Sequence, residues 1–201
     1  MKTIILIFFL ILNYWIGFSQ SPIINIKDKD GTRQTGAYYK DSNNLLNPYV
    51  GTYIYTNGSI TLKIVLVKKM QQYNGRYYED LLIGEYEYKN GSTIIVSTLS
   101  DLDTVYGNQR RHSISGNTLM TKTNRPICNE CGTNELRVNF TFFDKELELG
   151  GSMVARKTTY NNQEAIKIFI RCEPVTIYTG NVPPPTQFRV PDGEYLLIKQ
   201  P

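Results

Sequence analysis

In this chain of 201 residues, the three cysteines are the residues most evidently capable of chemistry. Cys128 and Cys131 form a C-x-x-C pair in a loop that Pro126 opens, and Cys172 follows 41 residues after Cys131. In an exported protein the default use of cysteine is a disulfide. We predict that Cys172 bridges to Cys128 or Cys131, because closing a loop of about 40 residues would stabilise the fold by roughly 3–4 kcal/mol. Since three is an odd number, one thiol would stay free or pair between chains.

Two other uses of the cysteines stay open. The three thiolates together with the one histidine of the chain would make a Cys₃His set, which is a tetrahedral structural zinc site. Its ligands would be Cys128, Cys131, Cys172 and His112. A C-x-x-C pair also occurs in redox proteins, although the strand–motif–helix context of thioredoxin-like proteins is missing here. Apart from the zinc alternative we predict no metal and no cofactor.

The single histidine limits what kind of enzyme this chain can be. His112 follows Arg110 and Arg111 and precedes Ser113. A Ser-His-Asp hydrolase would have to use this histidine, and no G-x-S-x-G motif supplies the nucleophile. We name no catalytic residues and favour a protein that is not an enzyme.

Tyrosine is unusually abundant, with 15 in the chain. A tyrosine combines a large apolar face with a polar tip, which suits ligand pockets and interfaces. Cross-strand tyrosine pairs also stabilise sheets, so a purely structural role stays open. As candidate ligand-binding residues we name Tyr53, Tyr55, Tyr77, Tyr78, Tyr86 and Tyr88.

The elements that must position these residues are β-strands. Apolar and polar residues alternate over Ile60–Leu66, and the same period of two returns at 136–142 and 166–170, which is typical of half-buried strands. No segment has an apolar stripe of helical period longer than a turn or two. The runs predict eight to ten strands, at about 49–56, 60–69, 80–89, 93–99, 112–115, 118–123, 135–143, 151–158, 164–171 and 194–199.

The turns between these runs have recognisable residues. Asn57-Gly58 and Asn90-Gly91 each separate two alternating runs, which predicts hairpins with type I′ turns. Gly116-Asn117 and Asn161-Asn162 indicate further reversals of the chain.

Many short strands at close spacing predict an all-β fold, an antiparallel lipocalin-like barrel closed by the final strand near Tyr195–Lys199. We divide the chain into a signal peptide at 1–19, an irregular N-terminal segment at 20–47 and a single barrel domain at 48–201. The stretch 173–192 contains three consecutive prolines, which cannot continue a ladder, and we expect a loop there.

The first residues have the build of a secretory signal peptide. Lys2 gives a positive start, Ile4–Leu12 form an apolar run, and Gly17 and Ser19 are small residues before a cleavage site at Gln20. The run is short of the roughly 20 apolar residues that span a bilayer. We therefore expect an exported protein, periplasmic or secreted, with no membrane span after cleavage.

Charge excludes one class of partner. The formal net charge is +4, and the charges are interspersed along the chain. A nucleic-acid-binding protein more often has a strong basic patch, so we expect no nucleic-acid partner.

Two resemblances add to this reading. The stretch Asn47–Tyr53, which leads through a hairpin into Leu62-Lys63-Ile64, resembles the opening strand of lipocalin-like barrels, with Tyr53 where those proteins have tryptophan. The run Tyr77–Tyr86 and the ending Asp192–Tyr195 are similar to those of a family of small secreted proteins from flavobacteria and relatives. That family is a domain of unknown function, so the resemblance implies an exported bacterial protein and no site residues.

Three functions are compatible with these observations. The first is a non-enzymatic exported binding protein that holds a small apolar or amphiphilic ligand in the barrel. The second is a secreted or surface interaction module that docks on protein or glycan through its tyrosine-rich hairpins. The third is a hydrolase. An enclosed cavity of roughly 300 Å³ or more would favour the first, and a packed interior beside an exposed aromatic patch would favour the second.

Overall fold

The structure is a computed structural model that describes residues 21–28, 31–173 and 185–201. The predicted signal peptide at 1–19 and most of the proline-containing loop lie outside the described residues. Within them one sheet contains eleven strands: β1 (Ile23–Asn25), β2 (Tyr38–Lys40), β3 (Gly51–Asn57), β4 (Ile60–Tyr73), β5 (Tyr78–Asn90), β6 (Thr93–Ser97), β7 (Ile114–Met120), β8 (Arg137–Asp144), β9 (Leu149–Tyr160), β10 (Gln163–Cys172) and β11 (Gly193–Lys199). The helical elements of the described part are four short 3₁₀ turns: Ile26–Asp28, Asn47–Tyr49, Leu99–Asp101 and Gln109–Arg111.

Eight of these strands close into an antiparallel barrel, which confirms the predicted fold class. The order around the barrel is β5, β4, β3, β11, β10, β9, β8 and β7, and β7 pairs back onto β5. The final strand β11 lies between β10 and β3, so it closes the barrel as predicted. Strands β2 and β6 both pair with β5, and β1 pairs with β2 in parallel.

The β3–β4 and β5–β6 hairpins are present, but their turns lie one residue later than predicted. Asn57 and Asn90 end their strands, and the turns are Gly58-Ser59 and Gly91-Ser92. The first residue of each turn is a glycine with φ of 58° or 59°. A type I′ turn needs a positive φ at both central residues, whereas Ser59 and Ser92 have a negative φ, so these turns have the pattern of type II′. At Asn161-Asn162 both residues have positive φ, as a type I′ turn requires.

The predicted reversal at Gly116-Asn117 is wrong, because a single strand, β7, passes through it. The register of β7 against β8 shifts between Ser115 and Thr118, so the two residues form a bulge. A Cβ atom on Gly116 would lie 2.4 Å from the carbonyl oxygen of Asn139. The glycine is therefore needed for the close approach of two backbones and does not mark a turn.

Side chains fill the inside of the barrel. Tyr53, Tyr86, Phe140 and Phe142 point inward and are at most 1% exposed. Tyr86 stacks on Phe142 with ring centroids 4.6 Å apart, and Phe188 packs edge-on against Phe142 at 5.1 Å. The described inward positions thus form a packed hydrophobic core.

The N-terminal segment, expected to be irregular, is packed onto the barrel. It contributes β1, β2 and the 3₁₀ turn at Ile26–Asp28. Its buried hydrophobic residues belong to the same core as the barrel strands: Ile26, Ala37, Tyr39 and Leu46. The two strands are only three residues long and pair in parallel, so the sequence has no hairpin turn or alternating run that would predict them.

No helix in the described ranges has the length and apolar character that crossing a membrane would require.

Candidate functional site

Near the tip of the β4–β5 hairpin, four side chains occupy directly paired positions on four adjacent strands. Ile23 pairs with Tyr38, Tyr38 with Tyr78, and Tyr78 with Tyr73, so the register runs straight from β1 through β2 and β5 to β4. Directly paired residues point to the same face of a sheet. Ile23 is 66% exposed, Tyr73 48% and Tyr78 36%, and Tyr38 is half-buried. We call these four residues the aromatic row.

Hydrogen bonds hold two of the three rings of the aromatic row, and the third, Tyr78, packs against Tyr73. The rings of Tyr73 and Tyr78 lie 5.0 Å apart at an angle of 43°. The Tyr73 hydroxyl donates to the carbonyl oxygen of Gly75 at 2.8 Å, and the Tyr38 hydroxyl donates to Oδ1 of Asp80 at 2.6 Å. Burial and the hydrogen bond to Asp80 raise the pKa of Tyr38, so its hydroxyl stays protonated at neutral pH. The hydroxyls of Tyr38 and Tyr73 are thus occupied, and the exposed parts of their rings remain available.

Asp80 is a buried carboxylate that joins the row to the barrel. Its Oδ1 also accepts from the amide of Gln71, and its Oδ2 accepts from the amide of Asp41, both at 2.9 Å. Gln71 has a φ of 51° and lies in a bulge of β4 between Lys69 and Gln72. Asp41 in turn forms an ion pair of 2.7 Å with Lys68. A network of hydrogen bonds and one ion pair thus holds the strands that carry the row in a fixed position.

The neighbouring residue Glu79 holds the hairpin tip. Its carboxylate accepts two hydrogen bonds from Arg110, at 2.6 and 2.7 Å, one from Asn117 at 2.9 Å and one from Asn74 at 3.0 Å. Asn74 also accepts from two backbone amides of the turn that connects β4 and β5. Burial raises the pKa of Glu79, but the hydrogen bonds and charge of Arg110 lower it more, so that the pKa lies below its usual range.

The six tyrosines named from the sequence do not form one cluster. Three of them are buried in the core: Tyr53, Tyr86 and Tyr88. Tyr55 and Tyr77 are half-buried and pack edge-on against Tyr195 and Tyr39, with ring centroids 5.1 and 5.0 Å apart. Of the six, Tyr78 is the one that belongs to the aromatic row.

Sequence reasoning named one member of the row and left out the other three. Tyr38 and Tyr73 occur in tyrosine-rich stretches, but only the parallel pairing of β1, β2 and β5 brings Ile23 and Tyr38 beside Tyr78. The short strands β1 and β2 have no local sequence signal of this pairing.

The prediction that Cys172 bridges to Cys128 or Cys131 is wrong. Cys128 is bonded to Cys131, with Cα atoms 5.4 Å apart, and Cys172 has a free thiol. Arg156 contacts the Cys128 sulfur and pairs in the sheet with Lys167, which lies five residues before Cys172 on β10. Five residues of strand span about 17 Å at about 3.3 Å each, whereas bridged Cα atoms lie within about 7 Å. Cys172 also packs against the hydrophobic core, whereas the Cys128 loop lies on the outer wall of the barrel.

His112 does not join the cysteines. Its ring is buried, with Nδ1 2.8 Å from Oε1 of Glu85 and Nε2 3.2 Å from Oε1 of Gln109. The described residues contain no group of three or more His, Cys, Asp or Glu that could hold a metal ion. The hydroxyl of the next residue, Ser113, is buried and makes no hydrogen bond to the imidazole. The four residues named for zinc therefore do not converge.

Comparison with known proteins identifies a family whose function is unknown. Neither the curated proteins nor the solved structures provide a match. A family model described as a family of unknown function matches residues 1–200, which is nearly the full length. The chain therefore belongs to DUF6705, a family of unknown function.

Proposed function

We propose that this protein is an exported interaction module that docks on a protein partner through the aromatic row. The observation that carries the proposal is the register of Ile23, Tyr38, Tyr78 and Tyr73 across four strands, with three of the four side chains more than a third exposed. Isolated exposed apolar residues are common on soluble proteins, whereas a contiguous row of them is typical of an interaction site.

The chemistry around the row favours a protein over a glycan. Tyrosine, methionine and arginine are enriched at protein interfaces. Met70, in the same hairpin, is 67% exposed, and Arg76 at the hairpin tip is exposed as well. The exposed aliphatic side chain of Ile23 at one end of the row offers a sugar no hydrogen bond.

Pre-organisation supports the same conclusion. Asp80 and Glu79 fix the strands beneath Tyr38 and the hairpin tip through charge-assisted hydrogen bonds. A surface whose rings are already held in place loses less conformational entropy on binding. These two buried carboxylates therefore fit a docking surface that keeps its shape without the partner.

The filled barrel makes a ligand inside it the weaker hypothesis. Large aromatic side chains occupy inward positions, and the grooves near Cys128, Tyr160 and His112 are lined mainly by residues of the outer wall. Export is consistent with the disulfide between Cys128 and Cys131, because disulfides persist in oxidising compartments.

The test is a capture experiment with a matched control. Residues 20–201 are immobilised as wild type, as the double variant Tyr73→Ser/Tyr78→Ser, and as Tyr160→Ser, which removes a tyrosine that is 50% exposed on β9. Each is exposed to envelope and medium proteins of the native host, and the bound proteins are quantified by mass spectrometry. We expect at least one protein whose capture falls about tenfold or more in the double variant and stays unchanged in the control, since each lost interface tyrosine costs about 1–2 kcal/mol.

Two further readouts distinguish the competing functions. A glycan array probed with the same three proteins would overturn the choice of partner if binding to a glycan depended on Tyr73 and Tyr78. A native mass spectrum that shows a small molecule bound equally to all three proteins would favour the barrel-ligand hypothesis. Equal capture by all three proteins would contradict the role of the row.

A further inference from the structure

The segment between β7 and β8, which carries the Cys128–Cys131 disulfide, is held against the outer wall of the barrel by arginine side chains of β8 and β9. Arg137 is 4% exposed and begins β8. Its guanidinium donates to three backbone carbonyls of the segment at 2.7–2.8 Å, those of Thr121, Asn124 and Pro126. The disulfide joins residues only three apart, so it restricts little of the unfolded chain. Arg156 of β9 holds the same segment through ion pairs with Glu130 and Glu135. The position of the loop therefore rests on these two arginines and does not require the disulfide.

The two sulfurs of this disulfide have different surroundings. Cys131 is buried, with 6% of its surface exposed, whereas Cys128 is partly exposed. The guanidinium Nη1 of Arg156 donates to Sγ of Cys128 at 3.7 Å. A neighbouring cation and partial exposure are the surroundings in which a cysteine reacts as a thiolate. Cys128 is thus the sulfur that an external thiol can reach and that Arg156 can stabilise as an anion.

Carboxylates share the cations near this sulfur. Arg156 forms ion pairs with Glu130 at 3.0 Å and with Glu135 at 2.9 Å, and Lys167 forms ion pairs with Glu130 at 3.1 Å and with Glu194 at 3.2 Å. The Glu130 and Glu194 side chains are more than 60% exposed, so solvent weakens their hold on the cations. Glu135 pairs with Nε of Arg156, whereas Nη1 of the same guanidinium contacts Sγ, and this contact is the feature on which the chemistry rests.

A groove of about 270 Å³ opens beside Cys128. Val154 and Phe169 contribute apolar surface to it, and Lys167 and Glu194 contribute charged groups. Ile127, next to Cys128 in the chain, is 65% exposed. Apolar surface flanked by charges and adjoining a reachable sulfur suits an extended polypeptide that presents a cysteine side chain.

We propose that Cys128 and Cys131 form a redox-active pair that exchanges its disulfide with dithiols of other polypeptides bound in this groove. A substrate thiolate attacks Sγ of Cys128, the Cys128–Cys131 bond breaks, and Cys131 leaves with the electron pair and takes up a proton. The second substrate thiolate then attacks the substrate sulfur of the mixed disulfide and expels Cys128 as a thiolate beside Arg156. The substrate dithiol is oxidised to a disulfide, and the pair is reduced to two thiols.

The third cysteine is a spectator in this scheme. Burial, with a contribution from Asp192, raises the pKa of the Cys172 thiol, which disfavours its reactive thiolate. Its position against the core keeps it away from the groove. The variant Cys172→Ser therefore serves as the background in which the pair is studied.

The first test asks whether the pair opens in the folded protein. The Cys172→Ser protein is equilibrated in buffers of reduced and oxidised glutathione, the thiols are alkylated, and the products are read by mass spectrometry alongside circular dichroism. We expect both redox forms within the accessible glutathione ratios, with the β spectrum unchanged. A pair that stays closed until the barrel unfolds, or a barrel that unfolds on reduction, would show a structural disulfide and overturn the proposal.

The second test examines the roles of the two sulfurs and of Arg156. In the reduced protein, Arg156→Gln is expected to slow the alkylation of Cys128 at neutral pH by about three- to tenfold, because less thiolate is present. Arg171→Gln, which removes an exposed arginine from the same strand as Lys167, is the charge control and should leave the rate unchanged. With a synthetic peptide whose two cysteines are joined in a disulfide, the Cys128 thiolate of Cys131→Ser should attack the peptide disulfide, release one peptide thiolate and accumulate as a mixed disulfide, because the thiol of Cys131 that would resolve it is missing. Equal rates in both arginine variants, or preferential reaction of Cys131 in the wild-type pair, would contradict the assignment.

Discussion

Replacing Arg110 with methionine tests whether the ion pair with Glu79 holds the hairpin that carries the aromatic row. Methionine keeps an apolar stem of similar length and removes the guanidinium. The Glu79 side chain is 1% exposed and that of Arg110 31%. Removing one partner of a fully buried pair costs about 3–5 kcal/mol. Because about a third of Arg110 is in contact with water, solvent screening reduces this, and we expect Arg110→Met to lower the free energy of unfolding by about 2–3 kcal/mol.

The measurement is a double-mutant cycle in urea, followed by circular dichroism. The proteins are wild type, Arg110→Met, Glu79→Gln and the combination of both. The combination should recover part of the loss, with a coupling energy of at least about 1 kcal/mol, because no uncompensated carboxylate is left buried. For a domain of this size Arg110→Met should lower Tm by about 4–12 °C.

The effect of Arg110→Met should also depend on pH, with a defined sign. In the wild type the pKa of Glu79 is below its usual range, so the ion pair stabilises the protein at neutral pH and this contribution is lost as the pH falls through that lowered pKa. The difference between wild type and Arg110→Met should therefore shrink when the pH is lowered from 7 to about 3. A difference below about 0.5 kcal/mol at pH 7, an absent coupling energy or a difference that does not change with pH would refute the reasoning.

Two further predictions concern local packing and the support of the row. Gly116→Ala should lower the free energy of unfolding by about 2 kcal/mol or more, because its Cβ would lie 2.4 Å from the Asn139 carbonyl oxygen. The control Gly107→Ala, whose Cβ would have no atom within 4 Å, should change the free energy of unfolding by less than about 0.5 kcal/mol. Equal effects of the two variants in thermal melts would contradict the close approach of β7 and β8 at the bulge. Tyr38→Phe removes a hydrogen bond of 2.6 Å to the Asp80 carboxylate and should cost about 1–2 kcal/mol in urea titrations, while a change below about 0.3 kcal/mol would show that this bond does not secure the row.

Local patterns account for what the sequence predicted correctly. The alternation in β4 places Leu62, Ile64 and Leu66 in the core, and the glycines after Asn57 and Asn90 mark the hairpins. Alternation, however, does not distinguish a reversal from a bulge, because both interrupt the period of two. At Gly116 the deciding factor is the backbone of β8, which is distant in sequence.

For Cys172 the period of two along β10 is a local signal of where the thiol lies. Ile166, Ile168 and Ile170 face the core, and Cys172 has the same parity on the strand. That parity alone predicts a thiol on the inner face of the barrel, away from a loop on the outer wall. The preference for closing a long loop concerns the unfolded chain, and it does not override where the folded strand places the thiol.

The aromatic row could not be predicted, since it depends on pairing between distant segments. Ile23 and Tyr73 are 50 residues apart, and Tyr38 and Tyr78 connect them through parallel pairs of two or three residues. Such short parallel pairs leave no hairpin signal in the sequence.

The docking role of the row is tested most directly by site-specific photocrosslinking in the native host. A photoreactive phenylalanine analogue replaces Tyr73 in one strain and Tyr160, on β9, in another, and adducts are resolved after irradiation. The account predicts a discrete protein adduct from position 73 that position 160 does not give. Adducts of equal yield from both positions, or no protein adduct from position 73, would contradict it.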